Sequence, residues 1–222
     1  MSFSSSLFDL LFPPKCPFCG RLLEEGQTLL CSDCQRDLPW TQGKAGERKG
    51  EFITVCVAPL WYRDTVRESH HRFKFYGVRA YTRPYVTLMA QCVNDHLDGE
   101  FDVLTWAPVS WWRRYRRGYD QAQLLAERLA AELDMPCQRL LRKKRHTKAQ
   151  SSLKSASERR ANVLGAYAVR CAEQVQGKRV LLVDDVMTSG ATLSECARIL
   201  LTAGAKQVSC VTLAMTGEGT RG

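Results

Sequence analysis

Residues 180–193 read VLLVDDVMTSGATL, and this stretch decides the architecture. Val180 to Val183 form an apolar run short enough for a buried strand. The run ends in two acids, Asp184 and Asp185, and opens through Val186 and Met187 into Thr188, Ser189, Gly190, Ala191 and Thr192. A small-residue turn that opens a helix presents backbone N–H groups and a positive dipole end to a phosphate. Open α/β sheets bind ligands beyond the carboxyl ends of their strands. Gly190 lets the backbone come close, the hydroxyls of Thr188, Ser189 and Thr192 add donors, and paired carboxylates suit vicinal sugar hydroxyls. Alone, either an acid pair or a Thr-Ser-Gly turn is local punctuation; in sequence they point to a sugar phosphate. The segment is not a Walker loop, because no Gly-Lys-Ser/Thr follows the strand, and G-x-G-x-x-G is absent.

Outward from it, strand candidates at 102–109, 166–169, 180–183 and 208–215 alternate with helices at 121–133 and 193–202. This pattern predicts a parallel sheet with crossover helices. Asp120 and Gln123 supply a capping-box-like start to the first helix, and Gly204 a left-handed stop to the second. Upstream, 53–62 is β-like, and 65–76 and 84–97 read as helices. The stretch 142–164 lacks periodicity and is expected to be a long loop or partly helical excursion.

The strand FDVLTWAPVS, 101–110, runs into WWRRYRRGYDQAQLLAERL, 111–129. Arg113, Arg114, Arg116 and Arg117 offer paired donors that match phosphate oxygens, with Gly118 giving the turn room. Trp111, Trp112 and Tyr115 are expected to pack on the core. The chain carries a net charge of +9, and nine of its 32 basic residues lie between Arg139 and Arg160 against the single acid Glu158. Such a local excess favours a polyanionic partner.

Cys16-x2-Cys19 and Cys31-x2-Cys34 are two knuckles that can close a tetrahedral, structural zinc site, with Gly20 permitting the tight turn. A redox pair is the rival, but Pro17 and the doubled arrangement favour metal. The six scattered cysteines behave as small hydrophobes, and His70, His71, His96 and His146 are not needed as ligands. Residues 1–40 are expected to form the zinc module, 41–50 a polar linker by composition, and 51–222 the main domain, whose pattern changes to alternating strand and helix at 99. Without an export signal or an apolar run of about 18 residues, a cytoplasmic location is expected.

VLLVDDVMTSGATL resembles the signature of type I phosphoribosyltransferases. APVSWWRRYRRGYDQAQLLA, RHTKAQSSLKSASERRANVLGAY and the leading LFDLLFPPKCPFCG resemble the ComF/GntX family, phosphoribosyltransferase-like proteins linked to competence and to use of external DNA. That resemblance implies a type I phosphoribosyltransferase-like α/β fold behind a four-cysteine module, with hood elements 51–98 and core 99–222. It implies that Asp184 and Asp185 hold the ribose hydroxyls of phosphoribosyl pyrophosphate and that 186–192 hold its 5-phosphate. Arg116, Arg117, Gly118 and Gln121 would lie near the pyrophosphate, and Thr147, Gln150, Arg160 and Asn162 in a covering loop. Thr188 stands where the hypoxanthine-type branch has an acid, which argues against that purine salvage; Ser189 keeps the hydroxyl of the usual Thr. Two functions stay open. One is Mg²⁺-assisted transfer of ribose 5-phosphate, with Asp184, Asp185 and Arg117 catalytic and the arginines stabilising the leaving pyrophosphate. The other is non-catalytic binding of single-stranded DNA through Arg113, Arg114, Arg142, Lys143, Lys144 and Arg145, with other competence proteins as partners.

Overall fold

The computed structural model describes residues 13–76, 79–97, 101–148, 153 and 155–217. Gln150, Lys154 and the first twelve residues of the cysteine module lie outside that set. Short helix α1, Ser32–Asp37, follows the second cysteine knuckle. Three short strands come next: β1, Glu47–Arg48, β2, Cys56–Val57, and β3, Leu60–Trp61. Pro59, with no N–H for a ladder, falls between the last two, so the β-like run 53–62 is split. Helices α2, Asp64–Phe75, and α3, Thr82–His96, precede strand β4, Val103–Trp106. Then follow α4, Trp111–Arg117, and α5, Gln121–Glu132. The remainder is β5, Leu141–Lys143, α6, Ala156–Val163, β6, Tyr167–Val169, β7, Arg179–Met187, α7, Ala191–Thr202, and β8, Gln207–Met215.

The main sheet runs β1-β2-β8-β7-β4, with β3 also paired to β8. Every pairing in it is parallel except β1 with β2. Because side chains alternate along a strand, β7 feeds two layers. Leu181 and Val183 pack with Tyr85, Met89, Leu125 and Leu129 of α3 and α5, while Val180 and Leu182 pack with Leu193, Cys196 and Leu200 of α7. The Gly204 stop and the Asp120 half of the capping box are present, while the Gln123 side chain bonds Glu127 at 2.7 Å instead of returning to Asp120. The Asp120 carboxylate accepts from Gln123 N–H, and Gly204 follows α7 with φ +94°.

Several expectations change. Of the stretch 166–169, Tyr167–Val169 is a strand, but it pairs antiparallel with β5 in a separate two-stranded sheet, so it lies outside the parallel array. The run 180–183 does not end at the acids; β7 continues through Asp184 and Asp185 to Met187, and the β8 ladder follows it to Met215. Residues 111–117 are a short helix, not a loop. Residues 41–50 contain an edge strand held against β2, where composition alone read a linker. Among the described residues no helix is long and apolar enough to cross a membrane.

Truncating Leu182, fully buried at the middle of β7, to Ala should cost about 2–5 kcal/mol of unfolding free energy. Urea denaturation of the two proteins checks this.

Candidate functional site

Parallel pairing places the carboxyl ends of β3, β4 and β7 at one edge of the sheet. The chain leaves that edge into α2, α4 and α7 respectively, so three segments far apart in sequence converge there. β7 contributes the acid pair and the turn after it. Residues Val186 to Leu193 line a small cup at the mouth of α7. Gly190 sits there with φ +73°, and a Cβ at that position would come 2.8 Å from Met187 Cε. Arg48 of β1 donates to the carbonyls of Thr188 and Thr216, and Thr216 Oγ1 donates to the same Thr188 carbonyl at 3.1 Å. Among the described residues, no acceptor is found for the N–H of Ser189 or Gly190. Such a loop can receive an anion.

The two acids meet different surroundings because they lie on opposite faces of β7. Asp185 turns toward α2. His70 Nε2 lies 3.0 Å and Lys74 Nζ 3.6 Å from its Oδ2, and Tyr62 Oη lies 3.1 Å from His70 Nδ1. Burial alone would raise the Asp185 carboxyl, but Lys74, His70 and Arg117 outweigh it and hold the group far below the usual carboxylate range. Asp184 is driven the other way, well above that range, by burial and by the neighbouring charge of Asp185. Its Oδ1 accepts from the N–H of Asp185 at 2.8 Å, and Asp185 Oδ1 accepts from Val186 N–H at 2.8 Å. One carboxylate is charged and cation-bound; its neighbour favours the neutral form.

Helix α4 divides its arginines by spacing. Arg113 and Arg117, four apart and on one side, turn inward: Arg113 donates to Thr147 O at 2.6 Å, and Arg117 donates to Gln121 Oε1 at 3.0 Å. Arg114 and Arg116 are exposed. So are Trp111 at 75%, Trp112 at 51% and Tyr115 at 78%. Those three aromatics do not pack on the core. The rings of Trp112 and Tyr115 stack with centroids 6.2 Å apart, because a seven-residue helix at the sheet edge has only one face to bury. Gly118 closes α4 in the left-handed conformation, φ +78°.

In the basic stretch, Arg142, Lys144 and Arg145 are exposed, but Lys143 is turned inward. Its Nζ donates to Tyr167 Oη at 3.1 Å, and burial, then Arg113, draws the ammonium down to about 8. Thr147 is buried, and Asn162 of α6 brackets Lys148, accepting from its N–H at 3.0 Å.

Sequence reading did not single out His70 or Lys74. Their signal was the four-residue spacing that puts both on one stripe of α2; what that stripe faces is a long-range fact. Of the other histidines, His96 pairs with Glu47 and His146 with Ser110, consistent with packed or surface roles.

The sulfurs of Cys16, Cys19, Cys31 and Cys34 all lie within 4.8 Å of one another. A tetrahedral zinc thiolate has S–S edges of about 3.8 Å, so the donor set fits. Gly20, φ +77°, closes the first knuckle, with its N–H bonded to Cys16 O at 2.9 Å. Burial raises the Cys34 and Cys31 thiols, while Arg21 overcomes it at Cys19 and brings that thiol to about 6. Of the scattered cysteines, Cys56, Cys92, Cys196 and Cys210 are buried, as small hydrophobes are.

The acid pair makes a two-sided prediction for the ligand-free protein. Asp185 has a depressed folded value, so its stabilisation is present above about pH 4 and lost as pH falls further. Asp184 has a raised one, so its penalty is present at neutral pH and gone by about pH 4. Asp185→Asn should therefore lower the thermal midpoint at neutral pH, and Asp184→Asn should raise it. In melts run between about pH 3 and pH 8, the Asp184→Asn gain disappears on acidification before the Asp185→Asn loss begins to shrink.

Comparison with known proteins agrees with both halves of the chain. Residues 7–57 match the double zinc ribbon domain, and residues 120–221 match the phosphoribosyl transferase domain. Competence protein F of Haemophilus influenzae is 29% identical over 216 residues, covering 87% of this chain and 93% of that protein. Competence protein ComFC of Bacillus subtilis is 30% identical over 199 residues, covering 89% and 76%. ComFC of Streptococcus pneumoniae is 29% identical over 233 residues, covering 90% and 99%. The fold is accordingly of the type I phosphoribosyltransferase kind with a structural zinc module in front, and the chain belongs to the ComF family, that of competence protein F and ComFC.

Proposed function

We propose that this chain binds phosphoribosyl pyrophosphate with Mg²⁺ at the edge where β3, β4 and β7 end, and acts in competence or the use of external DNA. The observation that carries the first half is the convergence there of an acid pair, a small-residue loop at a helix mouth and inward-turned cations from two other segments. The names of the relatives, competence proteins at about 30% identity, support the second. In this reading Asp184 and Asp185 take the ribose hydroxyls, and 186–192 take the 5-phosphate through backbone N–H groups and hydroxyls. Arg117 and Lys74 face the pyrophosphate, with Gly118 and Gln121 shaping the α4–α5 turn beside it and Arg116 at the solvent rim. Mg²⁺, when bound, supplies charge neutralisation at the pyrophosphate, mainly through ligand oxygens. Asp184, held toward its neutral form by burial, would be the carboxyl set beside that dication. Transfer of ribose 5-phosphate would then rest on stabilising the leaving pyrophosphate.

Calorimetric titration with phosphoribosyl pyrophosphate and Mg²⁺ tests this. Binding should be lost in the Asp184→Asn/Asp185→Asn double variant and weakened roughly tenfold or more in Arg117→Ala, the scale of one charge-assisted hydrogen bond. No heat from the parent protein ends the reading.

One observation favours a second reading. Trp111, Trp112 and Tyr115 stand exposed among Arg114 and Arg116, an array on which bases of a single strand can stack while phosphates meet the guanidinium groups. Trp112→Ala/Tyr115→Ala should then weaken retardation of single-stranded DNA in gels by roughly tenfold or more. Unchanged retardation would remove it.

A further inference from the structure

Helix α2 touches two places at once. On one stripe, Ser69 Oγ donates to Pro17 O at 2.5 Å, and Arg72 Nη2 donates to Pro17 O at 3.1 Å and to Phe18 O at 2.5 Å. Pro17 and Phe18 are the two residues inside the first cysteine knuckle, between Cys16 and Cys19. Phe18 is itself buried, with its ring 5.7 Å from that of Tyr85, which packs in turn on Phe73 of α2. On the adjacent stripe, His70 and Lys74 hold Asp185. The zinc knuckle and the acid pair thus grip the same three turns of helix.

Two features mark this grip as more than packing. The Arg72 guanidinium keeps its Nη2 on two knuckle carbonyls while its Nε is buried with no hydrogen-bond partner among the described residues. An unpaired buried donor is costly, a cost that the contacts of Nη2 on the two carbonyls and of Nη1, 4.0 Å from Glu68 Oε2, offset. The geometry is also unforgiving. Side chains stand about 5–6 Å from a helix axis, so turning α2 by about 10° moves each tip by about 1 Å. That displacement suffices to break a 3.0 Å contact such as His70 to Asp185.

We infer that Arg72 and Ser69 are positioning residues: they seat α2 against the metal-ordered knuckle and so place His70 and Lys74 on Asp185. The zinc module is then a part of the sugar-phosphate site at one remove. The effect on ligand affinity rests on the function proposed above; the placement of His70 does not.

The test uses the full-length, zinc-loaded chain with Arg72→Met, which keeps the aliphatic stem, with Arg72→Lys as the conservative variant, and with Ser69→Ala. Elemental analysis and a thermal melt establish that each variant is folded and carries zinc. The ring nitrogen resonances of His70 in long-range ¹H–¹⁵N spectra are the ligand-free readout, with Asp185→Asn as the reference for a released ring. Arg72→Met should shift them toward that reference and weaken binding of phosphoribosyl pyrophosphate with Mg²⁺ about tenfold, with partial recovery in Arg72→Lys. Unchanged His70 resonances in a folded Arg72→Met overturn the inference. Should that variant not fold, withdrawing zinc from the parent with a chelator reads the same resonances, and no shift there overturns it equally. A shift of His70 without any ligand heat in the parent supports the coupling and sinks the ligand assignment instead.

Discussion

Two carboxylates on consecutive residues of a buried strand cannot both be ionised cheaply, and the arrangement around them follows from that constraint. Desolvation penalises each charge, and proximity penalises the pair. Alternation along β7 separates them onto opposite faces, and the protein then treats them unequally. Asp185 receives an imidazole and an ammonium from α2 and feels a guanidinium from α4, whereas burial and the charge of Asp185 dominate at Asp184 over the N–H of its neighbour and a weaker attraction to Lys74. Helices reach this edge because β3, β4 and β7 are parallel, so every chain exit lies on the same side.

How far the architecture could be read beforehand depends on whether the information is local. The β7 strand, its turn and Gly190 were legible because hydrophobic period, acid pair and small residues are adjacent in the chain. The knuckles were legible for the same reason, since metal-ligand spacing is a property of a few residues. The boundary of β7 was misplaced because acids read as strand terminators, yet Asp184 pairs with Thr212 of β8 and the strand runs on through Asp185 to Val186 and Met187, which pair with Ala214 and Met215. Strand 166–169 was recognisable as extended, but its partner, β5, could not be inferred from its own residues.

The misses at the site share that cause. His70 and Lys74 lie more than 100 positions before Asp185, and only the β3-to-α2 connection at the shared edge brings them together. Trp111, Trp112 and Tyr115 were expected to be buried on hydrophobicity alone. The i, i+4 pairing of Arg113 and Arg117 instead claims the inner side of α4 and leaves the aromatics outside. Lys143 shows the converse, a cation in a basic run that the β5–β6 pairing turns inward onto Tyr167.

The hold of Arg48 on Thr188 fixes a direction as well as a position. In a trans peptide unit the carbonyl and the next N–H point opposite ways, so drawing the Thr188 oxygen toward β1 sends the Ser189 hydrogen away from it. The electrostatic polarity of the turn is thereby set by β1, an edge strand more than 100 residues earlier in the chain. In the proposed function, an incoming anion would find that donor already aimed, with no reorientation of the backbone needed to obtain it.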